Sequence, residues 1–209
     1  MPRIFAAGVV LSFGLAAQAL AQPPPRPVPP PAAAQSVPAG AWQIVPAHTR
    51  VVFSVGRFPF GDYYGQFVGA TGQLQFDPKD PAASRLEVRI PIAGVESESA
   101  GFTGALEGPG WFDAARFPVM TFRSRAITLT GPATADVAGD LTLHGVTRLV
   151  VFKATFNVAG VSPLDKAWST GFEVRGVIRR REFGVTRYEP FISDDVRIVI
   201  SAAFERAPS

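Results

Sequence analysis

The chain has no cysteine in its 209 residues. A disulfide framework is therefore excluded, as is lipid attachment through an N-terminal thiol. Only two histidines are present, His48 and His144. They leave no ligand set for a structural zinc site, and no metal is expected. Charge is sparse as well: charged residues make up 18% of the chain and the formal net charge is +3. That excess is too small for the concentrated basic patch that nucleic acid requires. No Gly-rich loop follows a strand and opens a helix, so no nucleotide cofactor is expected. There is no G-x-S-x-G motif, and neither histidine stands in a context that would make it a general base.

Long apolar runs are also missing, except at the start. Arg3 and the amino terminus give a short basic beginning, Ile4 to Leu15 is continuously apolar, and small residues then lead to Ala19-Leu20-Ala21. That order is the signature of a secretory signal peptide over 1–21 with an A-x-A cleavage site. The alternative, an uncleaved membrane anchor, lacks a basic stop-transfer cluster after the run. Residues 22–40 (QPPPRPVPPPAAAQSVPAG) form a Pro/Ala-rich spacer that cannot bury a core and favours an extended, semi-rigid chain. The remainder, 41–209, is about 170 residues, enough for one domain with a substantial interior.

What fills that domain is alternation. Leu86, Val88 and Ile90 alternate with Arg85, Glu87 and Arg89, the period of two of a half-buried strand. Val150 to Val158 and Val196 to Phe204 repeat it. Further strands are predicted at Thr49–Gly56, Tyr63–Gly69, Thr71–Phe76, Met120–Thr130, Asp136–Leu143 and Thr170–Arg180. Asp77-Pro78, Gly131-Pro132 and His144-Gly145 supply the turns between them. The last pair falls between two strands, where a two-residue hairpin needs positive φ. Only 97–117 breaks the pattern: Phe102, Leu106 and Trp111 suit one short helix and a loop, interrupted at Gly108-Pro109-Gly110. The fold class is therefore all-β, with eight or so antiparallel strands in a sandwich or a closed barrel. Seventeen phenylalanines, many on the apolar phase, favour the barrel. Alternation does not tell a barrel filled by side chains from one that holds a ligand.

Polar candidates are few. His144 reads as a turn residue, and His48, just before the first long strand, as a hydrogen-bonding group or a ligand contact. Asp194-Asp195 opens a strand, so the two carboxylates point to opposite faces and form no acid/base pair. In Arg179-Arg180-Arg181 the middle guanidinium faces the side opposite to its neighbours. Turned inward, it needs a carboxylate, a carbonyl or a ligand head group.

Taken in order, a set of segments resembles the YceI-like family. It opens with Trp42-Gln43-Ile44-Val45-Pro46-Ala47-His48-Thr49-Arg50-Val51-Val52-Phe53-Ser54-Val55. It continues through Gly65-Gln66-Phe67, Gly72-Gln73-Leu74-Gln75-Phe76-Asp77-Pro78, Trp111-Phe112-Asp113 and Thr121-Phe122-Arg123-Ser124. It closes with Gly139-Asp140-Leu141-Thr142-Leu143-His144-Gly145-Val146-Thr147-Arg148, then Glu182-Phe183-Gly184 and Ser193-Asp194-Asp195-Val196. The resemblance covers 41–205. It implies an eight-stranded antiparallel lipocalin-like barrel, with the helical insertion around 97–117, that holds a long isoprenoid lipid of quinone or polyprenyl type in its lumen. It also implies a non-enzymatic carrier in the periplasm, in agreement with the leader. The chain departs from the family pattern at Gly56-Arg57-Phe58-Pro59-Phe60 with Gly61-Asp62-Tyr63-Tyr64, and at Gly94-Val95-Glu96-Ser97. Both departures are expected near a barrel mouth.

On this resemblance the apolar phase lines the lumen. Phe53, Val55, Phe67, Leu74 and Phe76 would contribute from the first half, with Leu86, Val88 and Ile90 beside them. Phe122, Phe152, Phe156, Phe172, Val174, Ile178, Ile198 and Ile200 would complete the wall. His48, Arg180 and Asp195 are the candidates for polar contact. Transient membrane contact is expected of such a carrier, and an exposed edge or mouth patch would allow a homodimer. Two rivals stand beside this reading: a barrel packed shut with a stress-protective role, and an exported hydrolase.

Overall fold

Alternating sequence becomes a closed wall in the computed structural model, which describes residues 37–57 and 59–207. The predicted leader (1–21) and residues 22–36 of the spacer lie outside the described residues. The elements in chain order are β1 (Gly40–Ile44), β2 (Arg50–Arg57), β3 (Gly61–Phe67), β4 (Thr71–Phe76), β5 (Arg85–Pro91), β6 (Val95–Ser97), α1 (Ala100–Glu107), β7 (Val119–Gly131), β8 (Thr134–Leu143), β9 (Val146–Val161), β10 (Trp168–Arg179) and β11 (Ile192–Arg206).

Three wall strands are each broken in two. β1 and β2 are separated by the 3-10 turn Pro46–His48, and both pair with β11. β3 pairs with β2 while β4 pairs with β1. β6 then pairs with β3 and β5 with β4. Counting each broken strand once gives eight, each antiparallel to the next, and β11 returns to β1/β2 to close the barrel. Closure removes the open edges that an antiparallel sheet would otherwise present.

The turns follow their chemistry. β8 and β9 are joined by His144 (φ 51°) and Gly145 (φ 75°), the two-residue hairpin with both central residues at positive φ. The His144 Nδ1 atom lies 3.1 Å from the Phe183 carbonyl oxygen, which anchors the turn to the loop opposite. α1 falls inside the predicted 97–117 segment. Its N-cap is Ser99, whose hydroxyl accepts from the Phe102 N–H at 3.2 Å, a partner for one of the helix's orphan donors. Gly108 ends it, ahead of Pro109.

Two elements differ from the sequence reading. Gly40–Ile44 is a strand that the alternation did not predict; it takes in Gly40, the last residue of the spacer, and Val37 just before it is buried. GAWQI is too short to display a period, yet Trp42 has 0% exposure and its indole N–H donates to the Pro38 carbonyl at 3.2 Å. The other difference is at Arg179-Arg180-Arg181: the strand stops at Arg179, and Arg180–Phe183 makes a 3-10 turn.

The barrel has two unlike ends. At one, the β8–β9 turn, α1 and the loop after Arg180 crowd together over buried Leu106, Trp111, Leu143, Phe183 and Val185. This is the floor. At the other, Trp42, Leu74 and Phe204 pack with Val37 and with half-buried Phe156 and Phe172. There Phe172 meets Phe156 and Phe204 edge-on, with centroids 5.6 and 5.8 Å apart.

Candidate functional site: an apolar lumen

Inward-facing residues of a filled barrel should be buried, because interiors pack at crystal density. Here many are not. Val88, Val174, Val196, Ile198 and Ile200 all point inward and pack on the core cluster, yet each is only half-buried. The reason is a cavity of ≈ 320 Å³ running the length of the barrel. An eight-stranded barrel is just wide enough to leave such a space.

Every apolar residue expected to line the lumen does line it. Phe53, Val55, Phe67 and Ile90 stand in the floor half with Phe122, Phe152 and Ile178. Leu74, Phe76, Leu86, Val88, Phe156, Phe172, Val174, Ile198 and Ile200 continue the wall toward the other end. Alternation made these legible. Tyr63, Phe102, Leu106, Trp111 and Phe112, which close the floor and lie outside the set expected from alternation, also line it. They come from β3 and from the aperiodic 97–117 segment, where the signal was aromatic density rather than period.

The mouth lies at the end opposite the floor. Leu129 borders the cavity and is 54% exposed. Exposed Pro132, Ala133 and Thr134 at the β7–β8 turn stand with it, and Pro81 and Ser84 of the β4–β5 connection also border the cavity. The two departures from the family pattern, around Gly56–Tyr64 and Gly94–Ser97, are therefore not at the mouth. The β2–β3 hairpin and β6 sit at the floor end, where β6 pairs with β3 and contacts α1.

The three polar candidates separate. His48 is on the exposed turn Pro46–His48, outside the cavity. Asp195 is exposed on the outer face of β11, with Oδ1 3.9 Å from the Arg179 Nε. Both positions follow from strand phase: His48 precedes β2 on a turn, and Asp195 is out of phase with inward Val196. Arg180 alone borders the lumen, at 4% exposure. Its guanidinium donates to four main-chain carbonyls: Nε to Ser193 (2.8 Å), Nη1 to Val185 (2.9 Å) and Arg187 (3.0 Å), Nη2 to Ile192 (2.9 Å). The Trp111 ring lies 5.9 Å from it. Burial pulls its pKa below the ordinary guanidinium value, and the charges of Glu189 and Asp194 oppose that shift. An arginine nevertheless stays protonated across the working range of a protein.

The other polar groups at the lumen are engaged too. The Thr49 hydroxyl accepts from the Ala203 N–H at 3.1 Å, and the Ser84 hydroxyl accepts from the Asp77 N–H at 3.0 Å. The Thr134 hydroxyl lies 3.0 Å from that of Thr130. Among the described residues no buried side-chain nitrogen or oxygen lacks a partner, and no group of three or more His, Asp or Glu is placed to hold a metal. The arrangement is a hydrophobic sleeve with its polar atoms turned to structural work.

Comparison with known proteins agrees with this architecture. The YceI-like domain profile matches residues 42–204. A UPF0312 protein of Pseudomonas savastanoi pv. phaseolicola is 34% identical over 138 residues, covering 66% of this chain and 71% of that protein. The crystal structure of Burkholderia cenocepacia BcnA superposes with a TM-score of 0.69 at 24% identity, covering 77% of this chain and 98% of the other. A polyisoprenoid binding domain from Saccharophagus degradans, implicated in plant cell wall breakdown, superposes with a TM-score of 0.62 at 14% identity, covering 79% and 98%. These two structures share the fold. By its matched profile, which spans the barrel from β1 to β11, the chain belongs to the YceI-like domain family.

Proposed function

We propose that the protein is a non-enzymatic carrier that binds a long isoprenoid chain, of quinone or polyprenyl type, in the lumen of its barrel. The observation that carries this reading is the half-burial of Val88, Val174, Ile198 and Ile200 around a continuous apolar cavity. Unfilled apolar surface of that kind is stabilised by an apolar guest. The polyisoprenoid-binding domain of the same fold supports the choice of guest. A chain without polar substituents suits a lumen whose own polar groups already have partners. Burying about 300 Å² of isoprenoid surface is worth about 7 kcal/mol before losses, at about 25 cal/mol per Å². Ordering the chain and fixing it in place offset part of this, so affinities no tighter than micromolar are expected for that contact area.

The site of action we propose is the periplasm. The leader at 1–21 supports export, and cleavage after Ala21 would release a chain that begins at Gln22. A carrier there would meet membranes through its mouth, where Leu129 is exposed beside the cavity and Leu164 is exposed on the β9–β10 loop. Titration of the purified mature protein with a fluorescent isoprenoid tests the binding reading. Saturable binding displaced by unlabelled polyprenol is the expected result. No saturable binding, or binding that polyprenol does not displace, would sink it.

A further inference from the structure

Glycine weakens a strand interior, so its place there needs a reason. Three strands of this barrel carry one in the middle of an inward apolar triplet: Tyr63-Gly65-Phe67 on β3, Val137-Gly139-Leu141 on β8 and Val174-Gly176-Ile178 on β10. Each glycine lies under a phenylalanine ring from the adjacent strand. Phe53 stands directly across from Gly65 in the β2–β3 register. Phe122 of β7 covers Gly139, and Phe152 of β9 covers Gly176. A Cβ at Gly65 would come 2.8 Å from Phe53 Cε1, and one at Gly176 would come 2.8 Å from Phe152 Cε1. At Gly139 it would meet Phe122 Cζ at 2.5 Å. No real side chain tolerates such contacts, so each ring occupies space that only a missing Cβ provides.

The rings belong to the floor half of the lumen. Phe53 packs on Phe67 (centroids 5.4 Å) and Phe112 (6.4 Å), and Phe122 packs on Phe152 (5.6 Å). A Cβ on any of the three glycines would point inward and push the ring off the wall toward the lumen.

We propose that the three ring–glycine pairs set the bore of the floor half of the lumen, and with it the length of chain a ligand can insert. The inference rests on the carrier reading above. Its corollary is that the ligand enters tail first. The floor offers apolar wall and an Arg180 guanidinium already bonded to four carbonyls, so a polar head group stays at the mouth. Chain length is selected by where the aromatic floor stops it, not by a polar anchor.

Gly176→Ala and Gly65→Ala test this in the mature chain, since the three nearest contacts of a Cβ at each of these positions are all with the ring. Gly139 is unsuited because its Cβ would also strike the Arg123 carbonyl. Binding is measured against polyprenols of increasing length, by competition with a fluorescent isoprenoid and by native mass spectrometry. Affinity for the longest chains should fall about tenfold or more, while the shortest bind as they do to the parent. Adding Phe152→Leu to Gly176→Ala removes the displaced ring and should restore long-chain binding. It should also restore folding if the single variant is too unstable to assay. A folded Gly176→Ala protein that binds the whole series like the parent would overturn the inference. So would a folded double variant that still rejects long chains. If the parent itself binds no polyprenol, it is the carrier reading that fails, and the two failures are thereby distinguished.

Discussion

Two buried residues at the floor, Phe183 and Arg180, hold the barrel together for different reasons, and neither resembles a lumen residue in its energetics. Phe183 has 0% exposure and packs in the main core. Its replacement by alanine leaves a cavity in a closed region and should cost about 3–5 kcal/mol of stability. Ile200 is half-buried against the lumen. Ile200→Ala enlarges a space that is already there, so its cost should fall near the low end for such changes, about 2 kcal/mol or less, with a clear loss of isoprenoid affinity. Paired urea denaturation and ligand titration of the two variants read this contrast. Equal destabilisation would mean that the lumen is packed like an ordinary core. Arg180→Met strands four carbonyls in the loop between Val185 and Ser193, and the expected loss is on the order of 3 kcal/mol. Arg180→Lys should not repair it, because an ammonium lacks the planar fork that reaches four acceptors. The denaturation midpoint of both variants checks this.

The β8–β9 hairpin shows how sequence and element agree. Gly145 sits at φ 75° in a turn that needs positive φ, and a Cβ there would collide with the Phe117 ring. Gly145→Ala should therefore cost at least about 1–2 kcal/mol, measured as a lowered thermal midpoint with the fold otherwise retained. That turn was legible because two clean alternating runs flank it. The same alternation told which side of each strand faces inward, and so identified the apolar lining from Phe53 to Ile200. It was silent where periods are too short to register. β1 has five residues, and its dependence on Trp42 appears only when β4 and β11 are seen on either side of it. The floor was equally hidden, because α1 and the loop to Trp111 reach the lumen by tertiary packing rather than by strand phase. His48 and Asp195, candidates for polar contact in the lumen or at its mouth, stand on the outside of the barrel for a related reason. Nearness in sequence to an inward residue says nothing about direction when the next residue along a strand faces out.

At the scale of the whole molecule, the barrel reconciles closure with emptiness. Pairing of β1 with β11 satisfies the last edge, and inward glycines under aromatic rings keep the wall thin where a filled core would have side chains. A sequence pattern sets which residues face inward but not the radius at which the wall closes, so the lumen itself was beyond its reach. A protein built this way gives up packing energy that the proposed guest would restore. A bound isoprenoid at about 100 times its dissociation constant should stabilise the fold by about 2.7 kcal/mol. For a domain of this size that is about 5–10 °C in thermal midpoint, and delipidation should reverse it.

The most direct measurement is native mass spectrometry of the protein purified without detergent from its own host, followed by solvent extraction of what it carries. The account predicts a stoichiometric adduct that dissociates as an isoprenoid lipid and is absent from the bare polypeptide after extraction. Bare polypeptide mass before extraction, together with no uptake of added polyprenol, would contradict it.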